Sequence, residues 1–266
     1  GSAKGSIDHE TIELTRILRR DEAKFGNADA TSVAASDLPA FQAYQKMRAA
    51  YEEQLAEAKD GLINIQGFKT AIDAVVKKIG KEKPTREDFE KYQAQNDTEV
   101  RIKNIMATQL QTKTFDEFYD SQIVKGLTYY EGQVKYNLNM DFDPRPELVG
   151  DNYADSKERF YGNNDVQGPD ASHGTHVSGI VAANRTNKLG VVGVADMVQI
   201  MSIRAVPDGD ERDKDVANAI RYAVDNGAKV VNMSFGKAYS WDKKAVDEAV
   251  KYAMSKDVLL VQAAGN

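Results

Sequence analysis

In the last quarter of the chain three apolar runs, at 198–206, 229–235 and 258–261, alternate with amphipathic stretches at 213–226 and 241–256. No other feature limits the fold as tightly. Strands that are apolar throughout, rather than at every second residue, have to be covered on both faces. Crossover helices between successive strands leave those strands parallel. The pattern therefore predicts an α/β fold, with a parallel sheet flanked by helices. A further helix is expected at 172–183, ahead of the first run. In open sheets of this kind ligands collect at the carboxyl ends of the strands. Here those ends are Ser234-Phe235-Gly236 and Ala263-Ala264-Gly265-Asn266.

The first half has a different period. Phe41, Tyr44, Met47, Tyr51, Leu55, Ala58 and Leu62 share one helical face, and Phe68, Ile72, Val75, Val76 and Ile79 repeat the pattern. Gly80 and Pro84 end that helix. Thr85 with Asp88, and Thr114 with Glu117, have the spacing at which a hydroxyl and a carboxylate cap a helix start. A third stripe runs through Phe115, Tyr119, Ile123, Leu127, Tyr130, Val134 and Leu138. Residues 1–140 thus read as an N-terminal, mostly α-helical region, and the aromatic stripe as its core. Near Asp141 this period is lost. Asp143-Pro144-Arg145-Pro146 reads as a rigid extended connector, because proline cannot continue a helix. Residues 147–172, rich in Gly, Asn and Asp, read as loop. The domain boundary is expected at 140/141. Gly1-Ser2 resembles a cloning remnant and the chain stops directly after an apolar run, so both ends read as cut.

Composition narrows the functions. A hydrophobic share of 41% and a charged share of 29% predict globular folding. A formal net charge of −6, without clustered Lys and Arg, argues against nucleic acid as a partner. The absence of cysteine removes disulfides and thiolate-held metals. No apolar run reaches membrane-spanning length, and no signal peptide is present. A nucleotide-binding domain would need a glycine-rich phosphate loop after a strand, and there is none.

The sharpest chemical signal is Ser172-His173-Gly174-Thr175-His176-Val177-Ser178-Gly179-Ile180. Two histidines stand at a helix start among small residues, which allow close approach to another backbone. A neutral imidazole there can act as a general base. Spacing alone slightly favours a pair of core or capping histidines. The zinc-protease helix motif does not fit, since it needs histidines four apart with a glutamate between them. Asn266, at a strand end, either points its amide at developing negative charge or is a turn residue. Ser234 lacks the first glycine of a nucleophile elbow. Edge pairing with a peptide is expected of it instead.

Four segments, taken in order, resemble the subtilisin-like (subtilase) family of serine proteases. His173-Gly174-Thr175-His176-Val177-Ser178-Gly179 is similar to the family's histidine signature, and Leu189-Gly190-Val191-Val192-Gly193-Val194-Ala195 to the run that follows it. Val230-Val231-Asn232-Met233-Ser234-Phe235-Gly236 resembles the family's Asn-Met-Ser-x-Gly strand, and Val261-Gln262-Ala263-Ala264-Gly265-Asn266 the strand leading to its oxyanion asparagine. The resemblance covers about 148–266. It implies that His173 is the general base and that His176 is structural. It implies that Asn266 donates its amide to the oxyanion, an interaction whose loss costs about 3 kcal/mol. It implies that Ser234-Phe235-Gly236 pairs with an extended peptide or protein substrate and walls a specificity pocket. Asn187 falls where some members hold structural calcium, but the companion ligands lie in segments absent here, so neither metal nor cofactor is expected in this chain. Family habit places the parent protein outside the cell or in its envelope.

The sequence also departs from the family. No Asp-Ser-Gly or Asp-Thr-Gly strand precedes the histidine, and no Gly-Thr-Ser-Met segment is present. The expectation is a partial catalytic domain at 141–266 that carries the histidine and oxyanion segments only. The catalytic aspartate would precede Gly1, with residues 7–140 a helical insertion after it. Alone, this piece is expected to be inactive. The competing reading is a degenerate protease scaffold whose helical region binds another protein, of a kind the residues do not name.

Overall fold

In the computed structural model, which describes residues 4–265, the helices Arg86–Lys91, Asp97–Gln109, Phe115–Phe118 and Lys243–Ser255 each start on a side-chain cap. α1 (Glu13–Phe25) and a single 3₁₀ turn at Ala35–Asp37 lead into α2 (Leu38–Ile79), α3 (Arg86–Lys91), α4 (Asp97–Gln109) and α5 (Phe115–Phe118). Two π-helical stretches, Tyr119–Val124 and Gln133–Asn137, flank α6 (Lys125–Gly132). The chain then forms α7 (Arg145–Leu148), α8 (Ser172–Ala182), α9 (Asp213–Asp225), β1 (Val230–Met233), α10 (Lys243–Ser255) and β2 (Leu259–Gln262). No helix among the described residues is long and apolar enough to cross a membrane.

Contacts divide the chain into two units. One is Pro39–Asn139; the other joins the described residues up to Leu38 to those from Met140 onward. The N-terminal segment, expected in the helical region, therefore belongs with the later part of the chain. Its anchors are polar. Glu10 N–H donates to the Asp208 carbonyl (2.8 Å) and Asp208 N–H to the Asp8 carbonyl (2.9 Å). Arg16 donates to the carbonyls of Asp210 and Glu211. Pairings between residues so far apart leave no periodic mark in a sequence.

In the helical unit, α2 ends at Gly80, whose φ of +77° costs a residue without Cβ nothing. Both expected capping boxes form, at Thr85/Asp88 and Thr114/Glu117. Ile72, Val75, Phe89, Ile102, Met106, Phe118 and Ile123 make the core. Each such burial is worth about 1.5–3 kcal/mol. The stripe that starts at Phe115 does form helix. It does so with two π-helical stretches, and each extra residue in a turn rotates the apolar face relative to a regular helix.

In the other unit β1 and β2 pair in parallel, with Val230 opposite Leu259 and Met233 opposite Gln262. α9 supplies Val216, Ala217 and Ile220, and α10 supplies Ala245, Ala249 and Ala253, to a core that also takes in Met233 and Val258. Alanines four apart make a smooth stripe on α10, so the two helices pack closely over one sheet face. The opposite face is open: Val230, Leu259 and Val261 are 58%, 60% and 45% exposed. The expected cover on both faces is thus not formed among the described residues. Nor is the expected strand at 198–206, which is irregular, with Val198, Ile200 and Met201 exposed. A strand exists only where a neighbour takes up its backbone hydrogen bonds. Among the described residues the sole pairing nearby is the single bridge His9–Asp208. The connector at 143–146 also differs from its extended reading. Pro144 takes helical dihedrals and opens α7, since proline in a first turn lacks only an N–H that has no helical partner anyway.

Candidate active site

Parallel register sets β1 and β2 to end at the same level. Ser234-Phe235-Gly236 leaves β1 there, and Ala263-Ala264-Gly265 leaves β2 alongside it, with Ala263 N–H donating to the Met233 carbonyl at 3.1 Å. Ser234 and Phe235 are half-buried and Gly236 is exposed. The Phe235 ring packs against the α9/α10 core. The Ser234 hydroxyl accepts a hydrogen bond from Asn232 Nδ2 at 2.8 Å. Asn266, the expected oxyanion donor, lies outside the described residues.

His173 is in the first turn of α8 and is exposed, as is His176. Asp170 Oδ1 accepts from Ser172 N–H at 2.8 Å at the start of this helix. Hydrogen bonds from Ser172 hold the Asp170 carboxyl below its ordinary range. Among the described residues neither imidazole makes a hydrogen bond, so no carboxylate orients His173. α8 has no buried residue and is not a layer of the sheet. Its far end is held firmly. Gly193, Val194 and Ala195 donate to the carbonyls of Ala183, Ile180 and Val181 at 2.9, 3.0 and 2.8 Å, satisfying acceptors that a helix terminus leaves open. A Cβ on Gly193 would lie 2.4 Å from Ala183 N, which explains a glycine at this place in the Leu189–Ala195 run. Asn187 Oδ1 accepts from Leu189 N–H at 3.0 Å, in a local side-chain turn.

Sequence reasoning missed a buried ionic belt in the same unit. Asp210-Glu211-Arg212-Asp213-Lys214-Asp215 has the look of a solvated charge run, yet Glu211, Arg212, Asp213 and Lys214 are only 3–5% exposed. Arg145 bridges Asp151 and Asp215, Lys214 bridges Asp151 and Glu158, and Arg212 meets Glu10 at 2.8 Å. Burial alone would raise the Asp151 carboxyl, but Arg145 and Lys214 outweigh it and hold it below the usual carboxylate range. Burial, with Asp215 beside it, pushes the Tyr161 phenol well up, and its hydroxyl donates to Asp215 Oδ1 at 2.6 Å. The signal that could have found this belt is that a run of alternating charges leads straight into an amphipathic helix. A cavity of about 730 Å³ in this unit lies between residues 5–7, 159–166, 202–207 and α9, and none of His173, Ser234, Phe235 or Gly236 lines it.

Comparison with known proteins agrees with the motifs. A thermophilic serine proteinase of Bacillus sp. (strain AK1) is 42% identical over 96 residues, 36% of this chain and 23% of that protein. Thermitase of Thermoactinomyces vulgaris is 40% identical over 95 residues, 35% of this chain and 33% of that protein. A cell wall-associated protease of Bacillus subtilis (strain 168) is 36% identical over 94 residues, 35% of this chain and 10% of that protein. The chain thus spans between 10% and 33% of the length of these relatives. The family model for the subtilases matches residues 80–266, well over half of the sequence. With that span matched, and with the histidine and strand-end segments in the family's order, this chain belongs to the subtilase family of serine proteases.

Proposed function

We propose that the chain is the histidine-and-oxyanion part of a subtilisin-like serine endopeptidase. His173 takes the proton of a serine supplied by sequence outside this chain and returns it to the leaving amine. Asn266 donates its side-chain amide to the tetrahedral oxyanion. Ser234-Phe235-Gly236 adds a strand to an extended peptide or protein substrate. A catalytic aspartate, also from outside this chain, orients the imidazole. Without it and the serine the chain alone hydrolyses no peptide bond, because loss of either group lowers the rate by several orders of magnitude. The helical unit is an insertion in the catalytic domain, and the parent protein works outside the cell or in its envelope, as the name of the cell wall-associated relative suggests. No metal or cofactor is required for this chemistry.

The observation that carries the reading most is the common level at which the 234–236 and 263–265 segments leave the sheet. A substrate strand and an oxyanion donor have to meet at such an end. An exposed imidazole at a helix start, free to accept an orienting partner, is compatible with it. The test is fluorophosphonate labelling of the longer protease that contains this sequence, as wild type and as His173→Ala. Labelling is expected in the wild type, and neither in His173→Ala nor in this chain alone. Labelling that survives His173→Ala overturns the assignment.

A further inference from the structure

Lys237, the residue after Ser234-Phe235-Gly236, turns its ammonium inward, where the side chain is 8% exposed. Its Nζ meets Glu13 Oε1 at 2.7 Å, Asp213 Oδ1 at 2.8 Å and the Glu211 carbonyl at 2.7 Å. An ammonium has three donors, and all three are engaged. The same carboxylates hold the other end of the loop. Glu13 Oε1 also accepts Trp241 N–H at 2.9 Å, while Asp213 Oδ2 accepts the Ser240 hydroxyl at 2.8 Å and Asp242 N–H at 2.6 Å. Arg16 Nε donates to Glu13 Oε2 at 2.6 Å, which leaves the Glu13 carboxylate little freedom to swing. The side chains of Glu13 and Asp213 are 0% and 5% exposed. Two buried carboxylates, from α1 and α9, thus grip the 237–242 loop at both ends.

We propose that Glu13 and Lys237 are positioning residues for substrate, and that their ion pair sets how the 234–236 backbone leaves β1 and faces an extended peptide. The proposal rests on the reading of 234–236 as the substrate strand. A strand edge that is already ordered loses less conformational freedom when a peptide adds to it. A buried ion pair contributes little net stability relative to well-packed apolar groups, so fixed geometry is what it supplies here. It also gives α1 a role in the cleft, although α1 carries none of the family's motifs.

The experiment compares Lys237→Met, Lys237→Arg and Glu13→Gln in two settings. In this chain, amide hydrogen exchange at Ala263, whose N–H donates to the Met233 carbonyl where 234–236 leaves β1, is expected to quicken about tenfold or more in Lys237→Met and Glu13→Gln, with α10 amides unchanged and Lys237→Arg close to wild type. In the longer protease, KM for a peptide substrate is expected to rise about tenfold in both charge-removing variants with kcat little changed, and Lys237→Arg to restore it. Unchanged exchange at Ala263, or a fall in kcat at constant KM, overturns the proposal. If Lys237→Met fails to fold, Glu13→Gln, which keeps the side-chain shape, decides alone. A wild-type protease that cleaves no peptide defeats the endopeptidase reading instead, and the exchange data then judge the clamp by themselves.

Discussion

Arg145→Met tests whether the buried belt is a structural necessity. The Arg145 side chain is 4% exposed, and its guanidinium edges face two carboxylates. Nε and Nη2 reach Asp151, each at 2.8 Å, while Nη1 and Nη2 reach Asp215 at 2.7 and 2.9 Å. Methionine replaces the apolar stem and leaves both acids without that partner. Removing one side of a buried pair costs roughly 3–5 kcal/mol. Asp151 keeps Lys214 at 2.6 Å and Asp215 is 26% exposed, so the lower end applies, about 3 kcal/mol. For a unit of this size that loss lowers Tm by roughly 6–12 °C. The pH dependence carries a definite sign. In the wild type the depressed Asp151 carboxyl contributes stability that is present above its unfolded value near 3.8 and is lost as pH falls through the folded value. In the variant the carboxyl loses the Arg145 hydrogen bonds that lowered it and moves up from its wild-type position, so the deficit is full at neutral pH and narrows as pH falls toward the wild-type folded value. Trp241 is the sole tryptophan and packs against Tyr153, with ring centroids 5.8 Å apart, so its fluorescence reports unfolding of this unit alone. A Tm loss below about 2 °C, or a deficit of equal size at acid pH, refutes the reasoning.

Gly193→Ala places a methyl 2.4 Å from Ala183 N and 2.7 Å from Ala182 Cα, both backbone atoms, and overpacking of this kind costs about 1–3 kcal/mol. The Val194 and Ala195 amides are therefore expected to exchange about tenfold faster, whereas Gly179→Ala, within α8, where a Cβ meets no atom within 4 Å, leaves them protected. Equal exchange in the two variants rules the contact out as the reason for Gly193. In the helical unit, hydrogen bonds from Lys81 and Thr85 lower the Asp88 carboxyl to about 2, and hydrogen bonds from Lys78, Tyr92 and the Gln95 backbone do the same for Glu99. Stability from such groups is present above their unfolded values of 3.8 and 4.5 and is lost as pH falls toward about 2. Glu99→Gln is expected to flatten that acid limb in a urea titration followed by circular dichroism, and an unchanged limb removes Glu99 from the account.

Local order and composition settled a large part of this protein before any packing was considered. Capping pairs, the glycine stop at Gly80 and the apolar periods of α2, α9 and α10 act over a turn or two of chain, so they are legible residue by residue. The same holds for the His173 segment and for the runs ending at Gly236 and Gly265, whose order along the chain marks the family. Tertiary structure alone decided the rest. Whether 198–206 becomes a strand depends on a neighbour to receive its hydrogen bonds, not on its own apolar residues. Whether the charges at 211–214 face water depends on partners such as Glu10, Asp151 and Lys237, which lie far away in sequence. The assignment of α1 to the later half has the same origin, because Glu13 gains its meaning only once Lys237 is beside it. Short-range steric and capping forces are written into neighbouring residues, whereas burial of charge and pairing of strands are properties of what the fold brings together.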